Sequence, residues 1–99
     1  MEGLIVKDVK SLSKFLRECR EKVGLTQMEV ADELGYFSAQ FVSNWERGLA
    51  SPPMKTLNKL SQMYKVGTEE LFQAILVISL SAAEASLRKQ YKSVMKKRS

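Results

Sequence analysis

The chain has no histidine and a single cysteine, Cys19, among its 99 residues. Without histidine it lacks the usual general base near neutral pH, the usual neutral metal ligand, and any Ser-His-Asp or Cys-His arrangement. One cysteine closes no internal disulfide and builds no zinc site, which fits a reducing compartment. There is also no P-loop, no dinucleotide fingerprint and no cluster of metal-ligating residues in the sequence. No reaction, metal or cofactor is therefore expected. The longest apolar stretch, Leu71 to Leu80, includes Gln73 and Ser79 and is too short to span a bilayer. Met1-Glu2-Gly3-Leu4 lacks the basic lead and apolar run of a secretory signal. The expectation is a soluble, cytoplasmic protein that makes no use of a membrane.

What remains is an ordinary globular balance, 44% hydrophobic and 27% charged, in a length that suits one small domain. The net charge of +5 is unevenly spread. Residues 1–80 hold ten Lys/Arg and ten Asp/Glu and sum to zero. Residues 81–99 hold Arg88, Lys89, Lys92, Lys96, Lys97 and Arg98 against Glu84 alone, which is the whole excess. Basicity suggests an anionic partner, but here it marks a tail rather than the body, and solubility explains a basic tail equally well.

Residues 1–10 form a short arm in which Leu4, Ile5 and Val6 could make a strand. From Ser11 the apolar period is helical, with Leu12, Phe15, Leu16, Cys19 and Val23 on one face and Gly24 as the stop. Thr26 and Glu29 form a capping box for a second helix, whose inner face is Val30, Ala31 and Leu34 and which ends at Gly35. After Tyr36 and Phe37, Ser38 caps a third helix, from Ala39 to about Arg47. Phe41, Val42 and Trp45 share one side of it; Ala39, Gln40, Ser43, Asn44 and Arg47 share the other. Pro52 and Pro53 open a fourth helix with Leu57, Leu60 and Tyr64 inward, ended by Val66-Gly67. Thr68 caps a fifth. Its Leu71 to Leu80 stretch is apolar on nearly every side and is expected to be buried on nearly every side. Ser81 and Glu84 suggest a further capping box and a separate last helix over residues 82–97. The chain reads as all-α, in three parts: arm 1–10, helical domain 11–80 and basic C-terminal helix 81–99.

Two short helices, a tight turn and an amide-rich outer face on the second helix are the physical description of a helix-turn-helix. From Leu12 to Leu71 the sequence resembles the Cro/C1-type, or Xre-like, helix-turn-helix domains. The resemblance rests on Leu25-Thr26-Gln27, Val30-Ala31-x-x-Leu34-Gly35, Val42-Ser43-x-Trp45-Glu46-Arg47-Gly48, Pro52, Leu57, Leu60 and Val66-Gly67-Thr68-Glu69-Glu70-Leu71. It implies a five-helix, lambda-repressor-like bundle, here with an additional C-terminal helix. It also implies a sequence-specific transcriptional regulator, acting as a repressor and as a homodimer on a two-fold site in double-stranded DNA.

At matching positions the resemblance assigns Gln27 to a phosphate and Ala39, Gln40, Ser43 and Asn44 to the face toward DNA. Ser38 and Arg47 flank that face and complete the candidate DNA-binding set. Arg20 and Glu46 match a recurrent ion pair between the first and third helices. Glutamine and asparagine suit base reading because each can bond bidentately to adenine N6 and N7, and Ala39 can touch a thymine methyl. Two departures stand out: two residues, Tyr36 and Phe37, separate Gly35 from Ser38 where one is common, and Trp45 replaces an aliphatic residue and reads as a core anchor. Leu71, Phe72, Ile75, Ile78, Leu87 and Tyr91 are the candidate dimer contacts, because the fifth helix has more apolar surface than one small chain can cover. The tail from Arg88 to Arg98 is expected to add non-specific affinity for phosphate. The competing readings are an antitoxin that also binds a protein partner, and a helical protein–protein module of the same fold without DNA binding.

Overall fold

The computed structural model describes residues 9–98, and the expected strand at residues 4–6 lies outside them. Five α-helices follow in order, α1 (Val9–Lys22), α2 (Gln27–Leu34), α3 (Gln40–Glu46), α4 (Leu57–Tyr64) and α5 (Thr68–Arg98), with a 3-10 turn at Met54–Thr56. No strand occurs among the described residues. α1 takes in Val9 and Lys10, two residues ahead of the expected start at Ser11.

Each helix buries the face its periodicity marks. Leu12, Leu16 and Cys19 of α1 meet Val30 and Ala31 of α2, Val42 and Trp45 of α3, and Leu60 and Tyr64 of α4 in one core. Leu71, Ala74, Ile75 and Ile78 of α5 close it. Side chains of this size each contribute about 1.5–3 kcal/mol when fully withdrawn from water. Burial pushes the pKa of the Cys19 thiol up and keeps it neutral, so it behaves as a small apolar residue.

Backbone devices set the joints. Gly48 follows α3 with φ +75, and a Cβ there would sit 2.8 Å from Ser13 Oγ and 2.9 Å from Val9 Cγ1. Only glycine meets both demands, and it lets the end of α3 lie against α1. Ser13 is itself buried, and its hydroxyl donates to the Val9 carbonyl at 2.7 Å. The α3–α4 connection is pinned by buried Pro52 and by a hydrogen bond between the Ser51 and Ser79 hydroxyls. α4 stops at Lys65, which takes the left-handed conformation at φ 58. The expected stop at Gly67 falls two residues too late.

α5 corrects three expectations. It runs unbroken for 31 residues, so the separate last helix is its continuation. No proline or glycine interrupts it, and Ala82 and Ala83 favour helix, so Ser81 and Glu84 sit in its interior rather than at a cap. Nor is the Leu71 to Leu80 stretch buried all round: Leu80 is 62% exposed, and Phe72 and Leu76 each 36%. Leu71, Ile75 and Ile78 are instead fully enclosed within one chain. They are unavailable to a second subunit, and of the expected dimer contacts Phe72, Leu87 and Tyr91 are exposed. At about 1.5 Å per residue the helix is roughly 46 Å long, and it accounts for the 52 Å longest dimension of the molecule. It is long and apolar enough to cross a membrane by length and composition, yet four of its residues are core of the bundle.

Candidate nucleic-acid interface

The second and third helices are held as a unit by local bonds. Thr26 Oγ1 accepts from the Glu29 amide at 3.0 Å while the Thr26 amide donates to Glu29 Oε1 at 2.8 Å, closing the capping box. Gly35 takes the left-handed conformation (φ 82), and the Tyr36 amide donates back to the Ala31 carbonyl at 2.9 Å. The Gln40 amide donates to Ser38 Oγ at 3.2 Å, but Ser38 is not the cap: α3 begins at Gln40, Ala39 holds the N-cap position, and no side chain caps the helix.

α3 is fixed by its inner face. Val42 and Trp45 are buried, and the Tyr36 ring lies 6.1 Å from Trp45, edge-on, and 4.8 Å from Phe41. Phe41 does not join the core as its phase suggests, because it lies at the border of the face and is 52% exposed. Gln40, Ser38 and Arg47 are exposed, and Ala39, Ser43 and Asn44 are half-buried. Gln40 Nε2 donates to Asn44 Oδ1 at 2.9 Å. That bond leaves the Gln40 carbonyl oxygen as an acceptor and the Asn44 amide NH2 as a donor beside it. One acceptor next to one donor is the complement of adenine N6–H and N7.

Behind this face lies a charged knot. Arg20 Nε donates to Glu46 Oε2 at 2.7 Å and Arg20 Nη2 to Glu46 Oε1 at 3.0 Å, a fork-to-carboxylate pair between α1 and α3. The side chains are only 11% and 4% exposed. Arg20 Nη1 also donates to the Leu25 carbonyl at 2.9 Å, and the bond to Glu46 holds its ionisation above the ordinary value. Gln27 Nε2 donates to Glu46 Oε1 at 2.9 Å. Arg20, Gln27 and Glu46 are thus brought together, and Gln27 is oriented at the start of α2 by the same carboxylate that fixes α3. Burial first, then the nearby Glu46 charge, push the Tyr64 phenol above its usual range.

One feature of this surface escapes sequence reasoning. Phe37 is fully exposed, one residue before Ser38 and the approach to α3. Its signal is the lengthened turn: Tyr36 folds back onto α3, and the extra residue is left facing water. The dimer candidates Phe72, Leu87 and Tyr91 are not part of this surface; they lie along α5.

The fold and this surface define a helix-turn-helix protein. A helix-turn-helix family profile matches residues 16–71, and the chain belongs to that family, of the Cro/C1 type. Among similar proteins, the HTH-type transcriptional regulator ImmR of Bacillus subtilis (strain 168) is 44% identical over 61 residues, covering 62% of this chain and 47% of that protein. The uncharacterized HTH-type transcriptional regulator y4dJ of Sinorhizobium fredii is 48% identical over 59 residues, covering 60% and 74%. The HTH-type transcriptional activator BcrR of Enterococcus faecalis is 33% identical over 78 residues, covering 77% and 38%. The chain therefore spans half or less of the length of ImmR and BcrR. No solved structure matches the chain.

Proposed function

We propose that the protein is a non-enzymatic, cytoplasmic transcriptional regulator that reads double-stranded DNA with the outer face of α3. Its mode is repression by a homodimer on a two-fold site, since occupancy of a site needs nothing beyond the bound domain. The observation that carries this reading is the Gln40–Asn44 amide pair on the outward face of a helix whose inner face is locked by Val42 and Trp45. Gln27 holds register on a phosphate through its amide, and Ala39, Ser43 and Phe37 supply small and apolar contacts to base edges. Ser38 and Arg47 contact the backbone at either end. The names of ImmR and y4dJ, both transcriptional regulators, support a regulatory role.

A salt titration of binding to bulk duplex DNA tests the partner class. A DNA-binding chain loses affinity steeply as salt rises, because each neutralised phosphate releases counterions. A helical module that binds only proteins shows little affinity for duplex DNA even at low salt, and that result would remove the reading. Asn44→Ala is expected to cost about 1–3 kcal/mol on a preferred site and to relax preference at one position.

A further inference from the structure

α5 carries a second apolar face that the bundle covers only in part at Phe72 and Leu76 and leaves open from Leu80 onward. At 3.6 residues per turn, Leu71, Ala74, Ile75 and Ile78 point into the core, and Phe72, Leu76, Leu80, Ala83, Leu87 and Tyr91 fall on the opposite side. Leu80, Leu87 and Tyr91 are 62%, 63% and 65% exposed. The stripe steps by four, four and three residues, and Val94 begins its next round. This is an eleven-residue repeat, whose 3.67 residues per turn, just above the 3.6 of a straight helix, wind a helix pair into a slight right-handed supercoil. From Phe72 to Val94 it is about 33 Å long.

We propose that this stripe pairs with the same stripe of a second copy, in antiparallel orientation about Ala83. The inference specifies the geometry of the homodimer proposed above and needs no DNA. The stripe is close to a palindrome in position. With Ala83 facing Ala83 of the second copy, Leu80 meets Leu87, Leu76 meets Tyr91 and Phe72 meets Val94. Large residues then face large ones, and the smallest sits at the crossing, where the backbones come closest.

Charge selects the direction. Residues 88–98 carry Arg88, Lys89, Lys92, Lys96, Lys97 and Arg98 and no acid. The first turn of α5 carries Glu69 and Glu70. Parallel pairing stacks six cations beside six. Antiparallel pairing brings each basic end alongside Glu69 and Glu70 of the other copy, relieving the repulsion and adding attraction.

Sedimentation of the full chain at micromolar concentration, without DNA, is expected to give a dimer. Leu87→Glu is expected to give a monomer with unchanged helix content, because Leu87 is 63% exposed and is not a core residue. Direction is read by disulfide trapping, with buried Cys19 left in place. A mixture of Phe72→Cys and Val94→Cys chains is expected to cross-link between the two, and Ala83→Cys to cross-link with itself. Val94→Cys alone is expected not to, since its two copies lie about 33 Å apart. A monomeric full chain overturns the proposal, as does efficient self-linking of Val94→Cys, which marks a parallel pair. A chain that stays monomeric and co-sediments with anionic phospholipid vesicles assigns the stripe to a membrane surface and overturns it equally. A monomeric chain would also remove the homodimer from the proposed function, but none of these outcomes depends on DNA binding, so the reading of DNA by α3 stands or falls separately.

Discussion

The body of the molecule, residues 9–79, and the distal part of α5, from Leu80 onward, use the same kinds of side chain in opposite ways. In the body, the large residues of the core are withdrawn from water, and nine Lys/Arg stand against eight Asp/Glu. The most buried ion pair there, Arg20–Glu46, is spent on fixing α3 against α1. Beyond residue 80, Leu87, Tyr91 and Val94 stand more than half exposed and the entire net charge of the chain accumulates. A nearly neutral body holds α3 in place. The distal helix is apolar on one side and basic overall. The apolar difference lies in tertiary context, since the last element of the body and the distal region are one continuous helix, α5.

Substitutions in the two regions should therefore behave differently. The largest effect is expected from Glu46→Ala. It leaves Arg20 buried and Gln27 without its acceptor, and loss of one member of a buried pair costs about 3–5 kcal/mol. Chemical denaturation measures it, and a loss below about 1 kcal/mol, the range of surface pairs, would contradict the burial seen here. Leu60→Ala comes next, at about 2–5 kcal/mol for a fully enclosed leucine. The same truncation at Leu80, made in the Leu87→Glu background, should cost less than about 0.5 kcal/mol. Equal losses at the two sites would erase the distinction between body and distal helix.

A smaller effect separates them by pH. The phenol of Tyr64 has an ordinary value of 10.0, which it adopts when unfolded, and burial raises it in the folded chain. The unfolded chain loses this proton first, so stability is intact below pH 10 and falls as pH rises above it. The slope from this one group reaches about 1.4 kcal/mol per pH unit. Tyr64→Phe should remove that share of the alkaline loss in denaturation curves, whereas exposed Tyr91→Phe should leave it in place. The smallest effect concerns the tail. Neutralising Lys92, Lys96, Lys97 and Arg98 should flatten the dependence of log K on log salt for DNA by about 0.9 per lost phosphate contact. An unchanged slope would mean that the tail serves only pairing between copies.

Much of this arrangement is legible in the residues. The core faces of α1, α2 and α4 follow from spacing, and Thr26, Glu29 and Gly35 announce the ends of α2 because caps are local chemistry. The inward phase of Trp45 and the outward phase of Gln40 and Asn44 also follow from helical period. Three features do not. Ser81 and Glu84 read as a cap, but the same residues are tolerated inside a helix when nothing breaks it. The Leu71 to Leu80 stretch shows no polar side, so periodicity alone cannot tell which half of its surface the bundle covers. Phe37 and Phe41 are aromatic and would ordinarily be placed inside. The lengthened turn puts Tyr36 in the space beside Trp45 and leaves those two at the surface.

The most direct test of the regulator reading is selection of bound sites from random duplex DNA, run in parallel with the full chain and with a Gln40→Ala, Asn44→Ala variant. The account predicts enrichment of a two-fold site by the full chain. For the variant it predicts loss of preference at matching positions in both half-sites, with bulk DNA affinity retained. Enrichment of the same site with the same preference by both proteins would place the reading surface elsewhere than α3, and absence of any enriched site would contradict sequence-specific recognition altogether.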